Sequence, residues 1–174
     1  AVKAPNEAAV ELLLIFEANP NEFPISLGIG SPLNLSLELS SSNSTIVQML
    51  IDAGANVNFF HPEGHRWGIG LPLTQAVKSM DLNYAELLLK AGANPNLIDP
   101  WSLTALHHAV DRRDLGMLNV LLEAGADPNI LCSVHNLRFV VKKRLRGGPQ
   151  CRWTRIYTPI QEAVHRGDIA IAKI

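Results

Sequence analysis

Leu71-Pro72-Leu73-Thr74-Gln75-Ala76 begins a stretch that runs through Leu87-Leu88-Leu89 and closes on Gly92-Ala93-Asn94-Pro95-Asn96. Thr104-Ala105-Leu106-His107-His108-Ala109 begins a second, which runs through Leu121-Leu122 and closes on Gly125-Ala126-Asp127-Pro128-Asn129. Pro72 and Ala105 are 33 residues apart, as are Asn96 and Asn129. One supersecondary unit is therefore written twice at a fixed period. Each copy predicts two short antiparallel helices. Thr104 is placed to cap the first of them with its hydroxyl. Ala105 stands where a proline would pre-set the first-turn angle, as Pro72 does in the earlier copy. Ala76 and Ala109 supply the small side chains that let neighbouring helices approach. The leucine runs put an apolar face on the second helix, and Gly92 and Gly125 end that helix where positive φ is needed. One such unit cannot cover its own apolar face, so stability must come from stacking.

A 33-residue period with T-P-L-H-x-A at one end and G-A-[ND]-x-N at the other resembles the ankyrin repeat. The resemblance implies an all-α fold, an ankyrin-repeat solenoid of stacked helix-turn-helix units with β-turn fingers. It extends over most of the chain as a single domain, 1–174. A partial repeat covers 1–30, where Glu17 stands in place of the terminal glycine. Repeats follow at 31–70, 71–102 and 103–130, then an insertion at 131–157 and a partial repeat at 158–174 opening on Thr158-Pro159-Ile160-Gln161-Glu162-Ala163. Ser36 takes the small position of the 31–70 repeat, and about two extra residues near Ser40 to Ser44 lengthen its inter-helix turn. The truncated repeats at both ends, and the lack of an initiator Met, suggest a fragment of a longer protein.

Departures from the period carry the functional information. Pro32 and Pro72 are 40 residues apart, part of the excess falling in His61 to Gly70, a lengthened finger. Ala105 and Pro159 are 54 apart, so the surplus over 33 falls within 131–157. Insertions in such stacks map to loops on one side, often the binding side. This one holds Arg138, Lys142, Lys143, Arg144, Arg146, Arg152 and Arg155 and no acidic residue. The whole chain has 15 basic and 16 acidic side chains, so the remainder carries 8 and 16, and the net charge of −1 hides a strongly dipolar molecule.

Gly147-Gly148-Pro149-Gln150 can turn a hairpin between Phe139 to Arg146 and Cys151 to Tyr157. A basic helix capped by Ser133, with Leu137, Val141 and Leu145 at helical spacing, is the alternative. The hairpin is favoured because it extends an existing finger. Its charge suits an acidic protein partner, phosphate in nucleic acid or on an anionic membrane, or nuclear import through Lys143-Arg144-Leu145-Arg146. A fold back onto the acidic body, or plain solvation, would need no partner at all.

All three tryptophans, Trp67, Trp101 and Trp153, lie shortly before a repeat start and so in fingers. Trp and Arg are favoured as interface anchors because each buries a large area on a fairly rigid side chain, although packing between adjacent fingers would also explain them. The resemblance places Glu38, Lys78, Ser79, Asp111, Arg112, His165 and Arg166 on the concave side, a mixed charge that suits a protein partner. It also implies a structural role for His107, bonded to the backbone of a neighbouring finger, and makes Asn58, Asn96 and Asn129 of the kind that can be hydroxylated.

Other chemistry finds little footing. His61 and His65 are separated by Pro62 and Gly64, so they share no helical face, and two histidines are a poor metal site. Cys132 and Cys151 read as free thiols. No glycine-rich phosphate loop, nucleophile elbow or carboxylate pair outside the repeat positions is present, and Asp81, Asp114 and Asp168 recur as helix caps. No apolar run is long enough to span a membrane. The expectation is a non-catalytic protein-interaction module, intracellular in cytoplasm or nucleus, with no cofactor, metal or small-molecule substrate. A phosphate-binding surface, or the substrate-recognition arm of a larger enzyme complex, is the competing reading.

Overall fold

The computed structural model describes residues 7–22, 31–39, 44–59, 70–134 and 155–172. Helices α1 (Glu7–Ile15), α2 (Pro32–Leu39), α3 (Ser44–Asp52), α4 (Pro72–Lys78), α5 (Leu82–Lys90), α6 (Ala105–Arg112) and α7 (Leu115–Glu123) precede a two-stranded hairpin base, β1 (Cys132–Val134) and β2 (Arg155–Tyr157). Helices α8 (Pro159–His165) and α9 (Ile169–Ala172) follow. They pack in two ranks. The first helices stack as α2 on α4, α4 on α6 and α6 on α8, and the second helices as α1 on α3, α3 on α5 and α5 on α7.

The small positions make this possible. Ala76, Ala109 and Ala163 are fully buried between neighbouring first helices, and Ser36 is buried with its hydroxyl donating to Leu33 O at 2.7 Å. Leu88 and Leu121 are fully buried on the inner face of the second rank. Burying a side chain of this size contributes about 1.5–3 kcal/mol relative to leaving it exposed.

Helix ends follow the sequence at Asp81, Asp114, Gly92 and Gly125, and depart from it at Thr104 and Asp168. Asp81 and Asp114 accept from the backbone N–H groups of Tyr84 and Met117 at 3.2 and 3.0 Å. Gly92 and Gly125 take φ of 88° and 85°, and Glu17 adopts the same region at 60° without being glycine. Thr104, however, makes no side-chain cap bond. Its hydroxyl meets His107 Nδ1 at 2.7 Å instead. A carbonyl acceptor on the far side of the ring makes this the better use, as described below. Asp168 is ion-paired with Arg113, Nε to Oδ2 at 2.9 Å.

The closing motif of each repeat ties it to the next. Asn58 Nδ2 donates to Gly92 O at 3.1 Å while its Oδ1 accepts from Asn94 N at 2.8 Å. Asn96 does the same to Gly125 O and Asp127 N, at 3.0 and 2.7 Å, and Asn21 to Gly54 O and Asn56 N, at 2.9 and 2.7 Å. Within each motif the earlier Asn or Asp turns the loop by accepting from the backbone two residues on, as Asp127 does from Asn129 N at 2.8 Å. The N-x-N pattern is thus a turn followed by a backbone-reading amide, and its recurrence at Asn19-Pro20-Asn21 marks the first partial repeat.

Candidate interaction surface

Asp99 organises the finger between α5 and α6. Asp99-Pro100-Trp101-Ser102 is a turn whose third following residue returns its N–H to Asp99 O at 2.9 Å, Ser102 taking φ of 62°. Asp99 Oδ1 accepts from the N–H groups of Trp101 and Leu103 at 2.9 and 3.0 Å. Oδ2 lies 2.7 Å from His108 Nε2 and 3.7 Å from Lys78 Nζ. A carboxylate can only accept, so Nε2 carries the proton and donates. The Asp99 side chain is fully buried. Burial pushes its carboxyl up, but the bond and charge of His108, the Leu103 N–H and Lys78 together hold it below the ordinary value.

Trp101 is fixed by this arrangement. Lys78 Nζ sits 3.4 Å from the indole centroid, a cation–π contact. A Cβ on Gly70 would fall 2.9 Å from Trp101 Cζ3, so only glycine lets the preceding finger come this close. The ring stays half-buried, with Ile98 51% exposed on the same finger. Burial lowers the Lys78 ammonium, Asp99 opposes that, and Arg112 adds to the lowering.

The next finger is the foot of the basic insertion. Its strands pair antiparallel with Cys132 opposite Tyr157, Ser133 opposite Ile156 and Val134 opposite Arg155. Ser133 is therefore in a strand, while the expected strand from Phe139 to Arg146 and the alternative helix through Leu137, Val141 and Leu145 lie outside the described residues. His107 fastens this foot, Nε2 lying 3.1 Å from Tyr157 O. A carbonyl requires Nε2 to donate, which leaves Nδ1 to accept from the Thr104 hydroxyl. Burial, the largest influence, lowers the His107 imidazole and outweighs the Tyr157 carbonyl. Cys132, opposite Tyr157, is buried, and burial pushes its thiol up.

Arg166, just past α8, ties that helix to α6. Arg166 bridges Asp111 at 2.5 Å and Glu162 at 2.6 Å. The ring of His165 stacks on Tyr157 with centroids 5.9 Å apart. Arg112 is exposed and has no ion pair among the described residues. The structure thus brings Lys78 to Trp101 and Asp111 to Arg166, and leaves Arg112 without an ion-pair partner among the described residues. Trp67, Trp153, Arg138, Lys142, Lys143, Arg144, Arg146 and Arg152 lie outside the described residues, as do His61, His65, Cys151 and the expected turn at Gly147 to Gln150. Arg155 is described only as the start of β2. Sequence reasoning missed Asp99 and His108. An Asp opening a Pro-containing turn was the available signal for the first, and His108 gave none, because its partner is nine residues away on a finger.

An open depression of about 500 Å³ is lined by Tyr157, Ile160, Gln161, Val164 and His165. Ile160 and Val164 are 49% and 64% exposed, whereas Leu106 and Val110, at the same positions of the preceding repeat, are buried. Among the described residues no group of His, Cys, Asp and Glu has the arrangement to hold a metal, and no helix is long and apolar enough to cross a membrane.

A family model described as ankyrin repeats, in three copies, matches residues 37–132, more than half of the chain. No curated protein matches it.

Proposed function

This chain belongs to the ankyrin-repeat family, and from that premise we propose that it is a non-catalytic module binding a protein partner through its fingers and concave side. The observation that carries the reading is the finger at 97–104. A buried carboxylate holds its turn, and a half-buried tryptophan is clamped between Gly70 and Lys78 at its tip. A rigid aromatic already ordered before binding costs little entropy on association, which favours it as an anchor. Trp67 and Trp153, with Lys78, Asp111, Arg112, His165 and Arg166, belong to the same proposed surface. The insertion, with Arg138, Lys142, Lys143, Arg144, Arg146, Arg152 and Arg155, adds a positive field that steers an acidic partner. The same reading places the protein inside the cell, in cytoplasm or nucleus.

Affinity capture from the source lysate tests it, comparing the intact chain with Trp101→Ala and with a variant lacking 135–154, each washed at low and moderate salt. A protein retained by the intact chain and lost by Trp101→Ala at both salts supports the reading. Capture that ignores Trp101, depends only on the insertion and vanishes with nuclease or salt replaces it with a phosphate-binding surface, since counterion release makes such binding fall steeply with salt. A captured catalytic subunit that needs this chain to bind its substrate would make it a substrate-recognition arm.

A further inference from the structure

The ion pairs of the stack leave a remainder. Asp99 is occupied by His108 and Lys78, Asp111 and Glu162 share Arg166, and Asp168 takes Arg113. Every acidic group of α6, α8 and the finger between α5 and α6 is thus engaged within the stack. Arg112 is not. It ends α6 with its guanidinium exposed, and all five of its N–H donors lack a protein acceptor among the described residues.

We propose that the surface formed by the C-terminal ends of α4 and α6 receives an acidic segment of the protein partner, and that Arg112, at the end of α6, is the residue that selects it by taking one of its carboxylates. This deepens the interaction reading above and rests on it. A basic segment would have to displace Arg166 or Lys78 from carboxylates they already hold, whereas an acidic one meets an unused guanidinium, whose fork matches a carboxylate. Arg112 also faces a like charge. Helix α4 packs on α6, and Arg112 is close enough to weigh on the Lys78 ammonium, so an arriving carboxylate relieves a repulsion as well as forming a pair. Nucleic acid fits less well. A backbone with a charge at every phosphate would run onto Asp111, whose side chain is 53% exposed, and Glu162 beside it. Trp101 supplies the apolar wall, because Lys78 lies across its face and so fixes the indole at the end of α4.

The test uses the full chain with Trp67→Phe and Trp153→Phe, so that Trp101 is the only indole, titrated with a short labelled peptide rich in Glu, Asp and Leu. A Lys-rich peptide of equal length and an oligothymidylate serve as comparisons. The acidic peptide is expected to shift the Trp101 emission, with the two comparison probes leaving it unmoved. Adding Arg112→Glu is expected to weaken the affinity about tenfold and Arg112→Ala about threefold, the range of an exposed pair removed or reversed. Neutralising Lys142, Lys143 and Arg144 to Gln slows association while leaving the emission change at saturation intact. An unmoved emission, an affinity unaffected by Arg112→Glu, or an equal response to oligothymidylate overturns the proposal. Any of these leaves the dependence of lysate capture on Trp101→Ala untouched, so this failure is distinguishable from failure of the interaction reading.

Discussion

His107 Nε2 meets the carbonyl oxygen of Tyr157 at 3.1 Å across 50 residues of chain, and so fastens the second foot of the basic insertion to the start of α6. The bond needs a neutral ring whose other nitrogen accepts from Thr104. Replacing His107 by Ala leaves the Thr104 hydroxyl and the Tyr157 carbonyl unmatched, at a cost of about 1–3 kcal/mol. Urea unfolding measures that loss, and faster amide exchange at Cys132 and Tyr157 shows the foot loosening.

The same histidine makes the protein sensitive to acid. Its imidazole lies below the ordinary 6.5 in the folded state, chiefly through burial. The unfolded chain therefore takes up its proton first as pH falls, and stability rises with pH wherever the unfolded state holds more protons. This contribution is intact above 6.5 and is lost as pH falls from there through the lowered folded value. Melting temperatures across that window are expected to fall less steeply in His107→Gln than in the parent.

Asn58 and Asn96 each read a donor and an acceptor on the next repeat, whereas the exposed Asn129 amide reaches none among the described residues. Asn58→Ala and Asn96→Ala are expected to cost about 1–3 kcal/mol each, and Asn129→Ala less than about 0.5 kcal/mol. Chemical denaturation of the three variants under one set of conditions decides it.

Gly70→Ala forces a methyl to within 2.9 Å of Trp101 Cζ3 and 3.0 Å of Thr74 Oγ1. The indole has to move off Lys78, destabilising the chain by about 1–3 kcal/mol. A change in tryptophan emission that accompanies the drop in melting temperature identifies the cause.

Met80 and Arg113 hold φ of 57° and 58° at the turn between the two helices, where Gly167 stands in the last repeat. Met80→Gly removes that strain and is expected to gain about 0.5–1 kcal/mol. Arg113→Gly is expected to gain less, since it also loses the 2.9 Å pair with Asp168. Thermal unfolding of both separates the two effects.

The fold was legible because its determinants are local and periodic. Ala76 and Ala109 announced close helix approach, Gly92 and Gly125 announced positive φ, and Asp81 and Asp114 announced caps. What was hidden depends on groups brought together only by stacking. Thr104 looked like a cap until His107 needed its hydroxyl to settle the tautomer that reaches Tyr157. His108 carried no local signal at all, since its role depends on where the finger lays Asp99. Cys132–Val134 pairs with Arg155–Tyr157 at the foot of the insertion, a pairing between segments distant in the chain that residue preferences alone do not disclose. Trp101 was placed in its finger correctly, but its clamp by Lys78 and Gly70 joins two repeats and has no sequence pattern.

Amide hydrogen exchange of the chain alone and with its captured partner tests the central claim most directly. The account predicts new protection at 97–104 and at the C-terminal turns of α4 and α6, with the outer rank of α3, α5 and α7 unchanged. Protection confined to that outer rank, or a finger that exchanges as fast with the partner as without it, would contradict it.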